Sequence, residues 1–100
     1  MAVKLVFSPR ANEALEAISD YISRDNPTAA VDWLKTVKRR CNALRDMPYS
    51  GRRHGRTFRV VQVGNYQIVY TLEPMSEPET IVIVTIFHGA RDIFRVFPLA

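Results

Sequence analysis

The sequence predicts an α+β domain in which a short N-terminal strand, an α-helical hairpin and a three-stranded antiparallel meander build one sheet, in the order β-α-α-β-β-β. Three observations predict it. Apolar residues recur at three- and four-residue spacing in two successive segments, the first opened by Ser8-Pro9 and the second by Asn26-Pro27. From Phe58 onward the period becomes that of strands, and a Gly64-Asn65 pair divides the first strand-like stretch in two.

Taken in order, "VKLVF" (3–7) is rich in strand formers and reads as the first strand. Ser8 then offers an oxygen to an orphan amide, and the fixed φ of Pro9 suits the first helical turn. Ala11, Ala14, Leu15, Ile18 and Ile22 form the apolar stripe of the first helix, which should end near Arg24. Asn26-Pro27 follows almost without linker, so the second helix must fold back on the first. Its stripe is Ala30, Trp33, Leu34, Val37, Cys41 and Leu44, with Lys35, Lys38, Arg39 and Arg40 on its outer side and Pro48 as its stop. At this spacing Trp33 reads as hairpin packing and Cys41 as a small core residue. "PYSGRRHGR" (48–56) has the composition of a loop. "FRVVQV" and "YQIVYTL" around Gly64-Asn65 predict a tight hairpin. After the polar "EPMSEPE", the near-continuous run "TIVIVTIFH" predicts an interior strand covered on both faces. The helical hairpin over one face of a roughly four-stranded antiparallel sheet is the simplest two-layer arrangement.

One hundred residues suit a single domain over positions 1–100, and 47% hydrophobic with 24% charged residues is ordinary globular usage. No apolar run approaches the roughly 20 residues of a membrane span. "MAVKLVFSPR" lacks the features of a secretory signal, so the cytoplasm is the expected location and no membrane role is expected. One Cys and two His (His54, His88) make no conventional zinc site, and neither metal nor cofactor is expected. Charge is more informative. Residues 35–59 hold nine Lys/Arg against Asp46 alone, a local +8 in a chain of net +4. That concentration suggests an acidic partner.

The ordered segments resemble a known family, the RelE/ParE toxins of bacterial toxin-antitoxin pairs. "FSPRANEALEAISDYI" is similar to the family's opening strand and first helix, "NPTAAVDWLKTV" to its second-helix start and "MPYSGR" to its turn into the sheet. "FRVVQVGNYQIVYTLE" resembles its central hairpin, and "IVIVTIFHGARD" its closing strand with a His-Gly-x-Arg signature. The resemblance implies a cytoplasmic type II toxin and a cognate ParD-like antitoxin in a hetero-oligomer, with a heterotetramer among the stoichiometries it allows. Within the family, "FHGARD" looks ParE-like. This implies a poison of DNA gyrase with no catalytic site of its own, whereas RelE-like members cleave messenger RNA on the ribosome.

Both mechanisms nominate residues. RNA cleavage needs a base, an acid and a cation at the phosphate, and Arg59, His88, Arg91 and Tyr70 are the groups on offer. Target binding needs only cations, for which Arg52, Arg53, Arg56, Arg59 and Arg91 are candidates. His88 can instead finish a strand by bonding nearby backbone, and Arg91 can pair with Asp92 on the surface. The antitoxin, wrapping the toxin through a flexible segment, is expected at Ile18, Tyr21 and Ile22. Ile93, Phe94, Val96, Phe97 and Leu99 follow the last strand, and they must either pack back on the domain or meet another chain.

Overall fold

The computed structural model describes residues 3–98. β1 (Lys4–Phe7) leads into α1 (Pro9–Ser23) and α2 (Pro27–Ala43), followed by β2 (Arg52–His54), β3 (Phe58–Val63), β4 (Tyr66–Glu73), β5 (Thr80–His88) and a short α3 (Ile93–Val96). Both helix starts form as their sequences dictate. The Ser8 hydroxyl accepts from Ala11 N–H at 3.0 Å and the Asn26 side-chain Oδ1 from Ala29 N–H at 3.0 Å. The second helix ends at Ala43, several residues before Pro48, and a turn bridges the gap.

The sheet departs from the sequence expectation in two ways. Its order is β1-β5-β4-β3-β2, and β1 pairs in parallel with β5, so the sheet is mixed rather than antiparallel. The helical hairpin is the reason. It carries the chain over one face and leaves β1 at the edge beside the last strand, running in the same direction. Second, Arg52–His54 in the "loop" is a strand, paired to β3 through Arg52↔Val60, Arg53↔Arg59 and His54↔Phe58. The meander therefore has four strands. Three arginine- and histidine-rich residues carry little propensity signal, and β2 exists because β3 offers it an edge. The β3–β4 hairpin forms as expected, with Val63 opposite Tyr66 and Gly64 at φ +56, the positive φ that the first place of a II′ turn requires.

β5 carries the one irregularity that matters for the surface. Tyr70 pairs with Ile83 and Val69 with Thr85, so Val84 is an extra residue on β5. An inserted residue switches the face to which later side chains point. Ile81 and Ile83 before it, and Ile86 after it, thereby all join the core beneath the helices, with Val37, Cys41, Leu44, Ile68, Tyr70 and Leu72. Ser8 fastens this point. Its hydroxyl donates to Val84 O at 2.7 Å, and its amide donates to Ile83 O at 2.9 Å. On the opposite face, Val60, Val69 and Phe87 form a smaller cluster covered by Ile93, Val96 and Phe97. The C-terminal segment thus packs back on the domain, and Phe97 meets Phe58 edge-on at 4.3 Å. Leu99 lies outside the described residues. His54, read from sequence as part of a charged loop, is buried in this cluster and bonds Phe97 O through Nε2 at 2.8 Å.

Candidate functional site

Two concave surfaces lie at opposite ends of the helix-covered side of the sheet. The first is an apolar groove of about 470 Å³ between α1 and the end of β5. Small residues make it. Ala14 and Ala17 on α1 leave room above Tyr66 and Ile86, while Ile18 and Tyr21 continue one wall and Phe87, His88 and Arg91 border the end of β5. Trp33, Tyr66 and His88 form a row of edge-on rings with successive centroids 5.2 Å apart, which fixes Tyr66 and one end of the groove.

The polar rim is held by backbone. Ala90 N–H donates to His88 Nδ1 at 3.0 Å, so the neutral ring carries its proton on Nε2, facing away from that turn. Asp92 does not serve Arg91. Its carboxylate accepts from Phe94 N–H at 2.9 Å as the N-cap of α3. The exposed guanidinium of Arg91 is left beside an apolar groove, where a partner's acid can meet it.

The second surface is a smaller cavity of about 180 Å³ lined by Tyr49, Arg53, Arg56, Thr57, Phe58, Arg59, Leu72 and Met75. Its scaffold is Tyr70. This fully buried side chain donates from its hydroxyl to Pro48 O at 2.8 Å and accepts from Gly51 N–H at 2.9 Å, pinning the segment that enters β2. A Cβ on Gly51 would stand 2.5 Å from the Tyr70 hydroxyl, so only glycine permits the approach. Burial pushes the Tyr70 phenol above its ordinary pKa, against the Gly51 hydrogen bond and the Arg59 charge, which pull it down. Arg59 donates to Tyr49 O at 3.1 Å and Gly51 O at 2.8 Å and lies 5.2 Å from the Tyr49 ring centre. Its acceptors are neutral, so its charge is not cancelled locally.

Strand alternation divides the arginines that the sequence grouped. Arg53 and Arg59 are cross-strand partners on the helix side, with Arg56 in the turn between their strands. Arg52 projects to the other face, where it donates to Gln67 Oε1 at 2.9 Å. Arg91 belongs to the groove. The four groups nominated for RNA cleavage do not gather either. Arg59 and Tyr70 are direct cross-strand partners. His88 lies one strand from Tyr70 and two from Arg59, about four residues along the sheet, a Cα separation from Arg59 of about 16 Å by strand geometry. Of the expected antitoxin contacts, Ile18 and Tyr21 line the groove, Tyr21 being 68% exposed, whereas Ile22 is half-buried outside it. Ala17, Tyr66, Ile86 and Phe87, and at the other end Tyr49 and Met75, carry no sequence signal of a site. The packing of α1 on the sheet, the bulge in β5 and the Tyr49–Met75 contact bring them into place. No metal-binding group of His, Cys, Asp or Glu occurs among the described residues.

A mixed sheet under a helical hairpin, with an apolar groove at one end and an arginine-lined cavity at the other, is the architecture of the RelE/ParE fold class. Solved structures agree on the fold. The chromosomal ParDE toxin-antitoxin system of P. aeruginosa matches with a TM-score of 0.70 at 17% identity, over 87% of this chain and 96% of that one. The RelBE2 toxin-antitoxin complex of Mycobacterium tuberculosis matches with a TM-score of 0.59 at 17% identity, over 88% and 99%. No functionally curated protein matches the sequence. The family model for the ParE toxin of the type II toxin-antitoxin system, parDE, matches residues 5–93, and the chain belongs to that family.

Proposed function

We propose that this toxin arrests growth by inhibiting DNA gyrase and that a cognate ParD-like antitoxin neutralises it in the cytoplasm as a hetero-oligomer. The observation that carries the inhibitor reading is the separation of the ionisable groups. Proton transfer at an RNA 2′-hydroxyl requires base, acid and cation around one phosphate. Here the Tyr70 hydroxyl is committed to Pro48 and Gly51, and His88 stands at the far end of the sheet. Binding makes no such demand, and both surfaces suit it.

The groove is the antitoxin's side of this proposal. A flexible segment that orders on binding gains most from an apolar trough with few polar anchors, and Ile18, Tyr21 and Arg91 line one. Arg53, Arg56 and Arg59, with Arg52 on the other face, are the target's side.

Induction of the toxin in growing cells tests the reading. Gyrase-dependent DNA breaks and filamentation with intact transcripts are expected. Transcripts cut within codons, with DNA intact, would overturn it in favour of a ribosome-dependent messenger RNA endonuclease.

A further inference from the structure

The arginine cavity contains an arrangement that stability alone does not favour. Arg53 and Arg59 are direct cross-strand partners, and like charges in that position repel. Arg56, in the turn joining the two strands, is a third arginine lining the same cavity of about 180 Å³. Arg59 is held by the Tyr49 and Gly51 carbonyls, which use two donor contacts of its fork and leave others for a ligand. The base of the arrangement is rigid, because Tyr70 fixes Gly51 and the Tyr49 hydroxyl donates to Met75 O at 2.8 Å. Three arginines thus line one preformed hollow with no carboxylate in its lining, a composition suited to a multivalent anion.

The walls narrow the class. Tyr49 is 50% exposed and Met75 54% exposed beside the guanidiniums, so an anion bound there would carry its substituent against an aromatic ring and a thioether. A phosphate attached to a planar base satisfies both halves, since aromatic and guanidinium planes stack on any base. We infer that the cavity bounded by Tyr49, Arg53, Arg56, Arg59 and Met75 binds a nucleotide unit, its phosphate on the three arginines and its base against Tyr49 and Met75. This rests on the proposed use of the basic surface for target recognition and adds that the surface reads nucleic acid.

Thermal unfolding of the purified full-length toxin tests it, because a ligand that binds only the folded state raises Tm. The probes are inorganic phosphate, a deoxynucleoside 5′-monophosphate and a phosphoserine peptide, each against potassium chloride at matched ionic strength. Phosphate should raise Tm by about 5 °C near saturation, and the nucleotide should act at several-fold lower concentration. Arg53→Thr relieves the repulsion. It should therefore raise Tm without ligand and abolish the phosphate response, whereas general salting-out by phosphate would persist in the variant. Tyr49→Ala should keep the phosphate response and lose the nucleotide's advantage. A response equal to chloride's, or one unchanged in Arg53→Thr, would overturn the site. Equal binding of the phosphoserine peptide would assign it to a protein ligand instead. The readout involves neither gyrase nor growth, so it can fail while the inhibitor reading stands, and the reverse.

Discussion

The apolar groove and the arginine cavity occupy opposite ends of one side of the same sheet and are built from opposite materials. The groove is a hydrophobic trough with a histidine and an arginine at its rim, made by two alanines that α1 places over the end of β5. The cavity is a cluster of cations with aromatic and thioether walls, held open by one buried tyrosine hydroxyl. A partner held in the first would gain from apolar area and the exclusion of water. One held in the second would gain from charge, which salt screens. Under the proposed function, the two bindings would respond differently to mutation and to ionic strength.

Filling the groove should have the largest effect. Ala17 is exposed on α1, so Ala17→Trp should fold normally and weaken antitoxin binding by about 100-fold, or 2.7 kcal/mol, with Tm unchanged. Calorimetric titration against the antitoxin checks it, and undiminished affinity would remove the groove from the proposal. Next in size is the cavity's scaffold. Tyr70→Phe strips partners from the Pro48 carbonyl and Gly51 amide, which should cost about 1–3 kcal/mol in urea unfolding, while antitoxin affinity at the distant groove stays within twofold. A comparable loss at both surfaces would show that they are not independent.

A smaller effect is expected at the groove's rim. Arg91→Gln should lower antitoxin affinity about tenfold in low salt, and the deficit should shrink as salt is raised; a salt-independent loss would point to packing instead of charge. The smallest concerns neither surface directly. Burial raises the Cys41 thiol from 9.0 to about 12, the nearby Arg40 pulling it down only in part. The folded state thus holds this proton more tightly than the unfolded chain. Stability from that source is complete below pH 9 and falls as pH rises toward 12. Cys41→Ala should flatten the alkaline limb of the stability curve after its own packing cost is subtracted, and both surfaces should bind as before at pH 7. An unchanged alkaline slope would contradict the assignment.

How much was legible in the sequence follows from where the information lies along the chain. Ser8-Pro9, Asn26-Pro27 and Gly64-Asn65 are local instructions, obeyed locally by two helix caps and a turn. The basic cavity was partly legible for the same reason, since Arg53, Arg56 and Arg59 fall within seven consecutive residues. Even so, grouping Arg52 with them failed on a matter of parity, because a strand that propensity did not announce sends alternate side chains to opposite faces.

By itself, then, the sequence determined the helical hairpin, the β3–β4 turn, the concentration of charge and the family, all of which depend on residue type and short-range order. Only the tertiary structure decided that β1 lies parallel beside β5, that Val84 bulges so that Ile86 and His88 turn toward the helices, and that Arg91 stands at the groove. Each of these depends on which distant segment fills the space beside a residue. Hydrogen bonding and packing across the sheet settle that choice, and no local pattern encodes it.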